Sequence, residues 1–129
     1  MKNIAIVIGV SNYVKLTKLP GSRNDAKFMF EIIKLAQKFD DILYLNEDKN
    51  SQETKEAIID FIENNKGNEI DELFLFFSGH GEYFNEDFYF LLSDFDESKR
   101  NQSAIQNNFM DDLIRSLKPN NTIKLIDAC

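Results

Sequence analysis

Residues 73–84 read LFLFFSGHGEYF. Five apolar residues, Leu73–Phe77, run into a serine and then into Gly79-His80-Gly81. A continuous apolar run this short, closed by glycine, suits a strand buried on both faces, as in a parallel sheet. Three other stretches have the same character: Ile4–Val10, Ile42–Leu45 and Thr122–Ile126, all rich in β-branched residues. Helical spacing fills the gaps between them. Ala26, Met29, Phe30, Ile33 and Ala36 form one apolar stripe, which Ser22 or Asn24 is placed to cap. Ala57, Ile58, Phe61 and Ile62 form a second, with Asn50 and Glu53 spaced as a capping box and Gly67 as a stop. Phe109, Met110, Leu113, Ile114 and Leu117 form a third, closed by Pro119. Residues 82–92 read as a hairpin turning at Asn85-Glu86-Asp87. Strands alternating with helices predict an α/β fold with a mainly parallel central sheet and right-handed crossovers.

The chain has one histidine, His80, and one cysteine, Cys129. Each directly follows the end of an apolar run. Ligands of open parallel sheets collect beyond the carboxyl ends of the strands, so both residues fall on the edge where binding sites form. Taken singly, a cysteine reads as a small core hydrophobe and a histidine as a hydrogen-bonded structural residue. Taken together, on the ends of two strands expected to be neighbours, they read as a nucleophile and its base. Cysteine attacks as the thiolate, and an imidazole within reach takes the proton and later returns it to a leaving amine. Attack on an amide builds an oxyanion that backbone N–H groups hold; Gly81, with no side chain, leaves its N–H open, and the N–H of Cys129 is a second candidate.

The composition limits the alternatives. Fifteen basic against 22 acidic residues leave a net charge of −7, which disfavours nucleic acid and anionic membrane surfaces as partners. No 18-residue apolar run is present, so nothing predicts a membrane span. The first residues, MKNIAIVIGVSNY, read as a strand, not a signal peptide, and a lone cysteine fits a reducing cytoplasm. Residues 9–13, GVSNY, lack the glycine pattern of a nucleotide-binding loop. The acidic runs Asn46–Lys49 and Asp94–Glu97 read as solvated loops; the second lacks EF-hand spacing. No cofactor and no metal site is expected. Ser78 reads as a small residue at a tight turn, and the phenylalanines at 74, 76, 77, 88 and 90 as packing.

At these motifs the chain resembles the caspase–metacaspase superfamily of cysteine endopeptidases. AIVIGVSNY resembles the first strand, LPGSRNDAKFMFEII the metacaspase segment that follows, LFLFFSGHGEYF the histidine strand, FYFLLSDFD the hairpin and IKLIDAC the strand that delivers the nucleophile. His80 and Cys129 are 49 positions apart, against about 50 in caspases. The resemblance implies a caspase-like three-layer sandwich over residues 1–129, truncated after the nucleophile strand and corresponding to the large-subunit half of the catalytic domain. It implies His80 as general acid/base, Cys129 as nucleophile, and the amides of Gly81 and Cys129 as the oxyanion hole. Caspases carry glutamine two places before the cysteine; this chain carries Asp127, as metacaspases and related bacterial proteins do. In that group this aspartate and the one of the Asn-Asp-Ala segment, here Asp25, line the primary specificity pocket, which implies cleavage after Arg or Lys. The implied partners are a protein or peptide substrate, a small-subunit half or the remainder of the chain, and a sensor or regulatory domain. A regulated role in bacterial defence or cell death is implied with them. The competing expectation is a catalytically idle scaffold of the same fold.

Overall fold

The computed structural model describes residues 1–46 and 49–128. Glu47 and Asp48, in the first acidic run, and Cys129 lie outside the described residues. In chain order the elements are β1 (Lys2–Gly9), α1 (Pro20–Ala36), β2 (Asp41–Leu45), α2 (Ser51–Asn64), β3 (Ile70–Gly79), β4 (Gly81–Phe84) and β5 (Asp87–Leu91). There follow a 3-10 turn (Glu97–Lys99), α3 (Arg100–Ser103), β6 (Ala104–Gln106), α4 (Asn107–Ser116) and β7 (Asn121–Ala128). Four strands form a parallel sheet in the order β2-β1-β3-β7. The other three form a small antiparallel sheet, β4-β5-β6.

The apolar runs are continuous because both faces of the parallel sheet are covered. Ile4, Ile6 and Ile8 of β1 and Leu73, Leu75 and Phe77 of β3 point to one face, where they meet α2, α4 and β5. Ala5, Val7 and Phe76 point to the other face, where they meet Ala26 and Ile33 of α1. The result is the expected three-layer sandwich. Each of these large side chains contributes about 1.5–3 kcal/mol by leaving water.

Two helix boundaries differ from the sequence reading. Neither Ser22 nor Asn24 caps α1, because Pro20 starts it one turn earlier. Proline fixes a helical φ and has no N–H to satisfy, so it is favoured at the first helical position. A hydroxyl from outside the helix supplies the missing acceptor: Ser11 Oγ accepts from the Arg23 N–H at 2.8 Å. Helix α2 has its capping box, with the Glu53 N–H donating to Asn50 Oδ1 at 2.8 Å. It ends at Asn64, before Gly67, because the Asn65 N–H and amide both turn back onto the last carbonyls. The hairpin turns on Asn85 and Glu86, both left-handed at φ 51° and 66°, as a two-residue connection of right-twisted strands demands. The three residues of β6 and the four of α3 are too short to carry a period, and sequence reading missed them.

Three features set up the edge where the strands end. Helix α1 crosses close over the end of β1: a Cβ on Gly9 would lie 2.5 Å from Ala26 Cβ and 2.9 Å from the Ser22 carbonyl oxygen. That approach brings Asp25, beside Ala26, to the strand ends. Strand β3 pairs with β7 in register, Ser78 opposite Asp127 and Gly79 opposite Ala128. Strand β7 is the sheet's edge and is exposed along its length, with Ile123 and Leu125 each 47 % exposed. No helix among the described residues is long and apolar enough to cross a membrane.

Candidate active site

His80 follows β3 and is held by three contacts. Its N–H donates to Tyr13 Oη at 2.8 Å. Its carbonyl accepts from the Leu91 N–H at 3.0 Å. Its ring Nε2 lies 2.8 Å from the Thr17 carbonyl oxygen. A carbonyl only accepts, so Nε2 carries the hydrogen, and in the neutral ring Nδ1 carries the lone pair. The imidazole is thereby fixed as the tautomer that can take a proton at Nδ1. Neither Tyr13 nor Thr17 was found from sequence. Thr17 acts through its backbone, which no side chain signals, and Tyr13 lies in an irregular stretch between β1 and α1.

Gly81 opens β4 immediately after the histidine. A Cβ there would lie 2.3 Å from Phe88 Cζ and 3.1 Å from Ala128 Cβ. A side chain there would have to displace the Phe88 ring, and the same distances bring the Gly81 backbone beside the last described residue of β7. His80, Gly81 and Ala128 thus share one end of the sheet. Cys129, the sequence candidate for nucleophile and second amide donor, lies outside the described residues.

Asp127 on β7 and Asp25 on α1 meet across the same edge. Asp25 sits in the second turn of its helix, so neither a capping nor a first-turn role accounts for it. Partial desolvation, a hydrogen bond with Asp127 and the Asp127 charge push the Asp25 carboxyl above the usual carboxylate range. Two carboxyls hydrogen-bond only when one is protonated, which favours the protonated form of Asp25. The Ser78 hydroxyl, buried at the end of β3, lies 3.5 Å from Asp127 Oδ2. Both carboxyls line an open groove of about 450 Å3 together with Phe28, Met29, Phe76, Leu125 and Ile126. An apolar trough ending in acids complements a long cationic side chain, methylenes on the walls and charge at the end. Phe76 is therefore a groove wall as well as packing, whereas Phe77 and Phe90 meet edge-on in the core, centroids 5.0 Å apart.

A larger cleft, about 620 Å3, opens between the start of α2 and α3, lined by Ser51, Lys55, Asp94 and Asn101 among others. Its polar groups serve the fold. Asp94 accepts from the Ser51 N–H at 3.2 Å, and Lys55 Nζ donates to the Asn101 carbonyl at 2.8 Å. In the same acidic run, Lys15 and Ser98 hold the Asp96 carboxyl well below its usual range. Among the described residues no group of three or more His, Cys, Asp or Glu side chains is placed to hold a metal ion.

The carboxyl pair gives a stability prediction. Asp25 has a raised value in the fold, so its favourable contribution is fully present below the ordinary carboxylate range, about pH 3.9, and is lost as pH rises through the raised value. As pH rises through that value the pair becomes a like-charge contact. Asp25→Asn is expected to raise the melting temperature at pH 7 and to change it little near pH 3. Thermal melts at the two pH values check this; an equal shift at both would refute the coupling.

A family model described as the caspase domain matches residues 2–129. No curated protein matches the chain.

Proposed function

The chain belongs to the caspase domain family, and on that premise we propose that it is a cysteine endopeptidase working through His80 and Cys129 and cutting after Arg or Lys. The single observation that carries the proposal is the pairing of Gly79 with Ala128, which brings the end of β7 against the histidine turn. Cys129 is covalently attached to that end.

In the proposed reaction His80 Nδ1 takes the thiol proton, and the sulfur attacks the peptide carbonyl carbon. The resulting oxyanion is held by backbone N–H groups, with those of Gly81 and Cys129 as candidates. The imidazolium then protonates the leaving amine as the carbon–nitrogen bond breaks, giving a thioester. Water, deprotonated by the same imidazole, hydrolyses the thioester and restores the thiol. The Thr17 carbonyl stabilises the imidazolium through the Nε2 hydrogen while Nδ1 shuttles the proton. Asp25 and Asp127 receive the cationic side chain before the scissile bond.

The test is a set of fluorogenic peptides with Arg, Lys or Asp before the bond, assayed with the full-length protein and with Cys129→Ala. Cleavage after Arg or Lys is expected, with Cys129→Ala falling to background. Activity surviving in Cys129→Ala would remove the nucleophile, and cleavage after Asp alone would remove the acidic groove. A Cys129 that alkylates no faster at neutral pH than a buried thiol would favour the idle scaffold instead.

A further inference from the structure

We infer that Tyr13 is a positioning residue for His80: its hydroxyl ties the histidine turn to the segment that holds the imidazole. The inference rests on the proposed role of His80 and goes beyond it.

Tyr13 is only 2 % exposed. Oη accepts from the His80 N–H at 2.8 Å and donates to the Leu91 carbonyl at 2.9 Å. The Leu91 N–H returns to the His80 carbonyl at 3.0 Å. The hydroxyl thus closes a ring of hydrogen bonds that fixes the histidine backbone on both sides. The tyrosine ring also meets the imidazole edge-on, with centroids 4.6 Å apart and planes at 67°. Gly79 makes room for this: a Cβ there would lie 2.6 Å from Tyr13 Oη. Glycine before the histidine is thus explained by the phenol.

Tyr13 and Thr17 lie on one segment, residues 10–19, between β1 and α1. That segment is pinned by the Val14 N–H to the Ser93 carbonyl at 2.9 Å and by the Leu19 N–H to the Ser11 carbonyl at 2.8 Å. The phenol grips the histidine backbone, and four residues later the Thr17 carbonyl grips the ring. Because both grips come from one pinned segment, the first sets the distance at which the second acts. Without the phenolic hydroxyl, the turn is free to shift relative to Thr17, and the Nε2–H bond that selects the tautomer weakens. A tyrosine needed only to fill space would be replaced by phenylalanine without consequence for the ring.

Tyr13→Phe separates the two roles. His80 is the only histidine, so the nitrogen resonances of its imidazole are identified without assignment. They are to be recorded over a pH series and compared on the high-pH plateau, where the shifts no longer change with pH. In the wild type one tautomer with hydrogen on Nε2 is expected; in Tyr13→Phe both shifts are expected to move toward an averaged mixture. On a peptide that the protein cleaves, kcat is expected to fall about tenfold with KM within about twofold, the size of one lost hydrogen bond. Unchanged nitrogen shifts in a Tyr13→Phe protein that melts cooperatively would overturn the inference, whatever its activity. If the wild type cleaves no peptide, the reading of His80 as acid/base fails separately, and the nitrogen shifts still decide whether Tyr13 positions the ring.

Discussion

Replacing His80 by alanine is expected to lower kcat/KM by about 10³-fold at pH 7, within the 10²–10⁴ that a positioned acid/base contributes. That corresponds to roughly 4 kcal/mol of barrier. The loss has two parts with different pH behaviour. Without the imidazole the thiol loses the base proposed to take its proton, and an unassisted cysteine is only a few per cent thiolate at neutral pH. Residual activity should therefore climb close to tenfold per pH unit between pH 6 and 8, where the wild type is much flatter. The second part, protonation of the leaving amine, is not restored by alkali, so the variant should remain well below the wild type even at pH 9. Alkylation of Cys129 by iodoacetamide reports only the first part and should slow at pH 7 but converge with the wild type at high pH. The fold should tolerate the change, because the His80 ring is half-buried and, among the described residues, its ring hydrogen bond is the one to the Thr17 carbonyl. A His80→Ala protein keeping more than about a tenth of wild-type activity at pH 7 would end the case for this imidazole as the acid/base.

What the sequence revealed and what it hid follow from the range of the forces involved. Strand β1 was legible because Ile4, Ile6 and Ile8 face one layer and Ala5 and Val7 the other, which leaves no polar position in the run. The adjacency of β3 and β7 was foreseen from two strand ends carrying the only imidazole and the only thiol. The aspartates at 25 and 127 came from resemblance; their contact depends on α1 passing over Gly9, a tertiary fact with no local signature. The α1 start was misplaced because the capping hydroxyl belongs to Ser11, twelve residues upstream of the N–H it satisfies. The Thr17 carbonyl was invisible for a simpler reason: every residue has one, and only the fold decides which carbonyl faces the imidazole. Gly81 was read for its open N–H, whereas the nearness of Phe88 gives glycine an independent packing reason.

The second large effect is expected in specificity. Asp127→Asn keeps the side chain's shape and its place opposite Ser78 but removes the charge at the end of the groove. A cationic side chain lying in the groove packs its stem along Phe28, Met29 and Leu125, with Phe28 66 % and Leu125 47 % exposed, so it keeps much of its water. With the acid gone the charge contact is lost, and kcat/KM for an Arg peptide should fall about 10–10²-fold, the roughly 1.5–3 kcal/mol of a hydrogen bond to a charged group. The matched peptide carrying citrulline in place of Arg has the same length and no charge, so its already low rate should barely change. The ratio of the two substrates, which measures recognition of charge alone, should therefore collapse toward one. Asp25→Asn should cost less, because Asp25 is the member whose proton is held more tightly, and its loss leaves Asp127 ionised at the end of the trough. Iodoacetamide labelling of Cys129 should match the wild type in both variants, since neither changes the imidazole. If the Arg and citrulline peptides instead lose rate by the same factor, Asp127 acts by shaping the end of β7, and the charge reading of the groove is wrong.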